Sequence, residues 1–142
     1  MKILWILGVL LLTLSPTAIQ DFIRQNEAAA NARDVAAMVR FFAPTATITL
    51  AQPDGNPVTL NVPQYQALLQ RVMPQYRSYR NRMVVSAWHQ TGDRIQVNGT
   101  TYEAIDSPRL NAAANWEAEV QQNGDRLQFT RVRAYFSQAF GS

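Results

Sequence analysis

Few side chains in this 142-residue sequence are suited to proton-transfer chemistry, and there is no cysteine among them. His89 is the one histidine. Imidazole is the side chain whose ordinary pKa lies near neutrality, which makes His89 a candidate general base. Its place beside Thr91-Gly92 also fits a solvated strand end, the plainer reading. Glu103 is a second candidate base, in a strand-like segment from Arg94 to Ile105. Glu117 and Glu119 alternate with Trp116, Ala118 and Val120, so in a strand both carboxylates point away from the tryptophan. Such a pair can do acid-base work. With Glu117 opposite Arg131 and Arg133 diagonal on Glu119's side of the ladder, they would instead be surface ion pairs, worth about 0.2 to 1 kcal/mol each. With one histidine, no thiolate and no Asp/Glu cluster at ligand spacing, the sequence implies neither a metal site nor a cofactor.

Arg71, Arg77, Arg80 and Arg82 interleave with Tyr76 and Tyr79, a basic-aromatic mixture of the kind that nucleic-acid binders use. The formal net charge is only +3 and falls to about +2 without Lys2, with twelve arginines against ten acids. That balance is too mild to argue for nucleic acid, and a solvated helix end leading into a strand is the reading preferred. Asn98-Gly99-Thr100 matches a glycosylation acceptor, but in a bacterial protein it is only a strand-turn sequence.

The length fits one domain, and 47% apolar residues can supply one core. At the start, Lys2 precedes an apolar run from Ile3 to Leu14, followed by Ser15-Pro16-Thr17-Ala18. That layout is expected of a signal peptide over residues 1–18, with the domain over 19–142. The run is shorter than the roughly 20 residues of a membrane span, so an uncleaved anchor is the alternative and the sole route to a membrane. A secreted chain without disulfides points to a bacterial periplasm or the extracellular space.

Behind the candidates, the pattern predicts the elements that position them. Ile19, Phe22, Ile23, Ala29 and Ala30 recur at helical spacing from Thr17 to about Ala32. Asp34 is an N-cap for a second helix, Val35 to Phe42, ending before Pro44. Ala46 to Leu50 and Val58 to Val62 read as a hairpin around Pro53 to Pro57, and Pro63 opens a third helix that Pro74 ends. Four strands follow: Arg82 to Gln90, Arg94 to Ile105, Asn115 to Gln122 and Arg126 to Phe136, with a loop over Asp106 to Ala114. Segregated helices and an antiparallel sheet define an α+β domain.

The segment Ala32-Arg33-Asp34-Val35-Ala36-Ala37-Met38-Val39-Arg40-Phe41-Phe42-Ala43-Pro44-Thr45-Ala46-Thr47-Ile48 and the closing strand pair from Trp116 to Phe136 resemble the nuclear transport factor 2-like superfamily, which includes ketosteroid isomerase and the SnoaL-like proteins. The resemblance implies a curved antiparallel sheet wrapped around N-terminal helices, a cystatin-like cone with a pocket at its wide end, and frequent homodimers through the sheet face. It also implies where isomerase groups would stand. The oxyanion-hole tyrosine falls at Asn26, the carboxylate base at Leu50 and the neutral acid at Ala118, so all three polar groups are missing and steroid isomerisation is not expected.

The last hairpin decides the character of such a pocket. A three-residue loop at Asn123-Gly124-Asp125 sets Glu117 opposite Arg131 and lines the inner side with Trp116, Ala118, Val120, Thr130, Val132 and Ala134. A two-residue loop moves Arg131 to the side of Trp116 and suits an anionic ligand. The first register is favoured because it keeps arginine out of the interior; it leaves Phe129 and Tyr135 on the outer face, a patch fit for a homodimer. The leading expectation is a binding domain for a small apolar ligand, contacted by Tyr65, Leu68, Trp116, Ala118 and Thr130. The alternatives are an isomerase, lyase or hydrolase using His89 or Glu103 as base, and a non-catalytic assembly module.

Overall fold

Ser15 caps the first helix, α1 (Pro16–Asn31), accepting from the Ala18 amide at 3.3 Å, and Pro16 takes the first position, where its missing N–H costs nothing. The computed structural model describes residues 15–106 and 110–137. The expected signal segment therefore lies mostly outside the described residues, while α1 runs through the expected boundary at Ala18. No described helix is long and apolar enough to cross a membrane.

After α1 come α2 (Val35–Arg40), β1 (Phe42–Ala51), β2 (Val58–Asn61), α3 (Val62–Val72), a 3₁₀ turn (Met73–Gln75), β3 (Ser78–Thr91), β4 (Arg94–Asp106), β5 (Leu110–Asn123) and β6 (Arg126–Phe136). The six strands form one sheet in the order β2-β1-β6-β5-β4-β3, curled around α1. The expected α+β class holds, with a parallel β1/β6 pair in an otherwise antiparallel sheet.

Arg33 links α1 to α2 from a left-handed conformation, φ 54°, unusual for a residue with a side chain. Its guanidinium donates to the carbonyls of Met73 and Tyr76, which binds the helical hairpin to the end of α3. Asp34 caps α2 through Ala37 N at 3.0 Å, but that helix stops at Arg40 and not at Phe42. Pro44 forces the residue before it into extended backbone, and Phe42 gains a place opposite Phe129 on β6. The α3 helix begins with a capping box between Asn61 and Gln64.

The expected loop over Asp106 to Ala114 is corrected. Ser107 to Arg109 lie outside the described residues, while β5 starts at Leu110 and pairs Ala112 with Glu103 and Ala114 with Thr101. Alanine has weak strand propensity, and sheet pairing overrides it here.

The β5/β6 hairpin matches neither register expected from the sequence. Asn123 pairs with Arg126 around a two-residue turn with Gly124 at φ 64°, and Val120 pairs with Phe129. Thr130 is then an extra residue, a β-bulge, and its hydroxyl donates to the Glu119 carbonyl (3.2 Å) and carboxylate (2.9 Å). Beyond it Glu119 faces Arg131 and Glu117 faces Arg133, the latter pair 3.9 Å apart. The bulge thus reverses the parity that the short turn imposes. Arg131 and Arg133 stay outside and Val132 and Ala134 turn inward, as the favoured register required, although Glu117 has Arg133 and not Arg131 as its partner. Phe129 lies before the bulge and points inward, 7% exposed against Phe22 and Phe42, which corrects its expected outer position.

Two apolar clusters make the core. One packs Ile19, Phe22 and Ile23 of α1 onto Ile95, Val97 and Val120. The other gathers Ala30, Met38, Leu69, Met73 and Ile105 where α1, α2 and α3 meet the far end of the sheet.

Candidate functional site

Beside the second cluster the sheet and helices leave a cavity of about 540 Å³. Its space arises from small residues on the inner face, Ala114 on β5 and Ala134 on β6, where larger side chains would have filled the core. Tyr65 and Leu68 of α3, Leu50 of β1 and Trp116 of β5 form much of an apolar wall.

One carboxylate breaks that wall. Glu103, near the C-terminal end of β4, faces the cavity, opposite Asn81 of β3. The Tyr79 hydroxyl donates to Glu103 Oε2 at 2.6 Å and accepts from Asn81 Nδ2 at 2.9 Å. Asn81 is 8% exposed, and its Oδ1 is buried without a hydrogen-bond partner. Burial disfavours the charged form of Glu103 and raises its carboxyl above the usual range, while the Tyr79 hydrogen bond pulls partly the other way. Burial, with the nearby Glu103 charge, also pushes the Tyr65 phenol up to about 12 and the Tyr79 phenol well above its ordinary value. These tyrosines are neutral hydrogen-bonding groups at physiological pH.

Of the residues picked out by sequence, Tyr65, Leu68, Trp116 and Glu103 come together around the cavity. Ala118 does not: it is 1% exposed within the first core cluster, below Trp116. Thr130 sits at the bulge, bonded to Glu119. His89 is exposed and pairs with Gln96 near the β3/β4 turn, eight residues along β3 from Asn81, roughly 26 Å at the usual strand rise. It belongs to no site with Glu103.

The three positions relevant to isomerase chemistry bear no ionisable group in place. Asn26 turns its amide back to the Phe22 carbonyl at 2.8 Å, Leu50 lines the cavity and Ala118 is core. Among the described residues, no three metal-ligating side chains come together.

Sequence reasoning missed Tyr79 and Asn81 by reading their segment as a solvated helix end leading into a strand that starts only at Arg82. β3 begins at Ser78, so Tyr79, Asn81 and Met83 face inward while Arg80 and Arg82 face outward. The alternation Tyr79-Arg80-Asn81-Arg82-Met83 was the available signal. The arginines are accounted for outside: Arg82 lies 4.6 Å over the Tyr102 ring and Arg77 pairs with Asp106 at 2.8 Å.

No protein-family model matches the sequence, and no curated protein matches it either. Solved structures do match in fold. A ketosteroid isomerase-like protein of Erwinia carotovora atroseptica superposes with a TM-score of 0.66 at 14% identity, covering 87% of this chain and 96% of its own. A scytalone dehydratase-like protein of Novosphingobium aromaticivorans gives 0.72 at 10% identity, covering 89% and 93%. A nuclear transport factor 2-like protein of Shewanella oneidensis gives 0.69 at 14% identity, covering 85% and 99%. The curled sheet, the helices it encloses and these superpositions agree that the chain has the cystatin-like, nuclear transport factor 2-like fold.

Proposed function

We propose that this domain binds a small, largely apolar molecule in the cavity, with Glu103 engaging its polar end. The observation that supports it is the cavity itself: about 540 Å³ of space, within the roughly 300 to 1,000 Å³ of small-molecule sites, walled by side chains such as Leu50, Leu68 and Trp116. A cone meant only for assembly gains stability when filled, since each void forgoes packing energy. Export through the N-terminal segment is part of the same reading, and the ligand is then one met outside the cytoplasm.

Native mass spectrometry of protein purified from its natural source tests the proposal. A small molecule that travels with the wild type and is missing from Leu68→Trp, which crowds the cavity, is the expected result. Bare chain from both contradicts it.

A second reading is a proton-transfer enzyme with Glu103 as base. The desolvated carboxyl beside Tyr79 favours it, because burial moves a carboxylate towards the pKa a base needs near neutrality. Turnover of the co-purifying molecule, lost in Glu103→Gln, distinguishes it from simple binding.

Self-association through the outer sheet face is proposed as well. Val84 and Tyr135 lie on one row of that face, through the pairs Val84/Thr100, Thr100/Asn115 and Asn115/Tyr135, and both are exposed. Sedimentation at micromolar concentration is expected to give dimers that Val84→Arg dissociates; a monomeric wild type contradicts this.

A further inference from the structure

We infer that the polar end of the ligand is a protonated amine, held between Glu103 and the tyrosine-rich wall; this rests on the ligand-binding reading above. Three observations converge on it. First, Glu103 presents a carboxylate to the cavity, and the ion pairs among the described residues join Arg24 to Asp21, Arg77 to Asp106 and Arg133 to Glu117, so none of them engages Glu103. Arg71, on the cavity rim, is exposed to solvent. A buried carboxylate lacking a counter-ion is costly, and a cationic ligand supplies one.

Second, the polar group at the charged end of the cavity, the Glu103 carboxylate, is an acceptor. Tyr79 already occupies Glu103 Oε2, which leaves Oε1 of the same carboxylate to accept from a ligand. An alcohol donates one neutral hydrogen bond, whereas an ammonium donates up to three and adds the positive charge that Glu103 lacks. A carboxylate or phosphate on the ligand donates none when ionised and meets the charge of Glu103.

Third, the wall around the carboxylate is aromatic. Tyr65, Tyr76 and Tyr79 are all close enough for the Glu103 charge to raise their phenols, and all three line the cavity with Trp116. Tyr76 and Tyr79 stack with ring centroids 6.0 Å apart. Aromatic faces carry negative electrostatic potential and attract ammonium groups, most strongly where water is excluded.

The test uses three probes that share one apolar body: 1-naphthylmethylamine, 1-naphthalenemethanol and 1-naphthoic acid, each titrated calorimetrically into the full chain at pH 8. The amine is expected to bind about tenfold or more tighter than the other two, the order of preference that a charge-assisted hydrogen bond plus a cation–π contact supports. In Glu103→Gln the amine-to-alcohol ratio is expected to collapse towards one. If the alcohol or the acid binds the wild type as tightly as the amine, or the ratio survives in Glu103→Gln, the amine assignment is wrong while ligand binding stands. If none of the three binds, both inferences fall.

Discussion

Tyr79 and Glu103 stand diagonally across β3 and β4, and the phenol donates to the carboxylate at 2.6 Å beside a largely apolar cavity. The bond fixes the carboxylate without neutralising it. It therefore leaves a charge whose free energy depends on what else enters the cavity.

Stability should depend on pH through Glu103. Its folded carboxyl is raised by burial, so the folded state holds that proton more tightly than the unfolded chain does. The contribution is fully present below the ordinary glutamate value of about 4.3 and is lost as pH rises through the raised folded value. Glu103→Gln removes this loss. Urea unfolding from pH 4 to 9 is expected to show the wild type losing stability relative to Glu103→Gln as pH rises; parallel curves contradict it.

Gly99 lies opposite Trp116 in the β4/β5 ladder, and a Cβ added there would collide with the indole ring and the Val84 carbonyl. Gly99→Ala is expected to destabilise the fold by about 1 to 3 kcal/mol, the usual cost of overpacking. The same collision displaces Trp116 from the cavity wall, so its fluorescence should shift. An alanine variant as stable as the wild type, with unchanged emission, would show that the ring does not lie there.

The edge strand β3 is held by α1. Asn31 donates to the Asn81 carbonyl at 2.9 Å and accepts from its amide at 2.7 Å, and Glu27 accepts from the Met83 amide at 2.7 Å. These bonds satisfy backbone groups that an edge strand leaves open, and they hold Tyr79 and Asn81 in register with Glu103. Asn31→Ala is expected to cost about 1 to 3 kcal/mol, since both Asn81 backbone groups lose their partner. Hydrogen exchange at the Asn81 amide should speed up more than at Val97 in the core; equal effects at both contradict a local clasp.

Much of the fold was legible because its signals are local. The α1 stripe of Ile19, Phe22 and Ile23, the Asp34 cap and the Gly92 and Gly124 turns all stand in the structure as periodicity and turn chemistry require. What misled was non-local. Phe42 continues the helical stripe of Val35, Met38 and Val39 on paper, yet β6 offers it a strand partner that the sequence alone does not reveal. The alanines from Ala112 to Ala114 lack strand propensity and become strand only through β4. The bulge at Thr130 leaves little mark in sequence, although it decides which way two arginines point. Of the site, Tyr65, Leu68, Trp116 and Glu103 could be picked out beforehand. Tyr79 and Asn81 could not, since the arginines around them outweighed the alternation that turns them inward.

The account depends most on a desolvated carboxylate inside the cavity, and a ¹³C NMR titration of the Glu103 carboxyl tests that directly. The predicted midpoint lies clearly above the ordinary glutamate value of about 4.3, and it rises further in Tyr79→Phe, where the hydrogen bond that favours the charged form is gone. A midpoint at the ordinary value, unmoved in Tyr79→Phe, would place Glu103 in solvent and contradict the site described above.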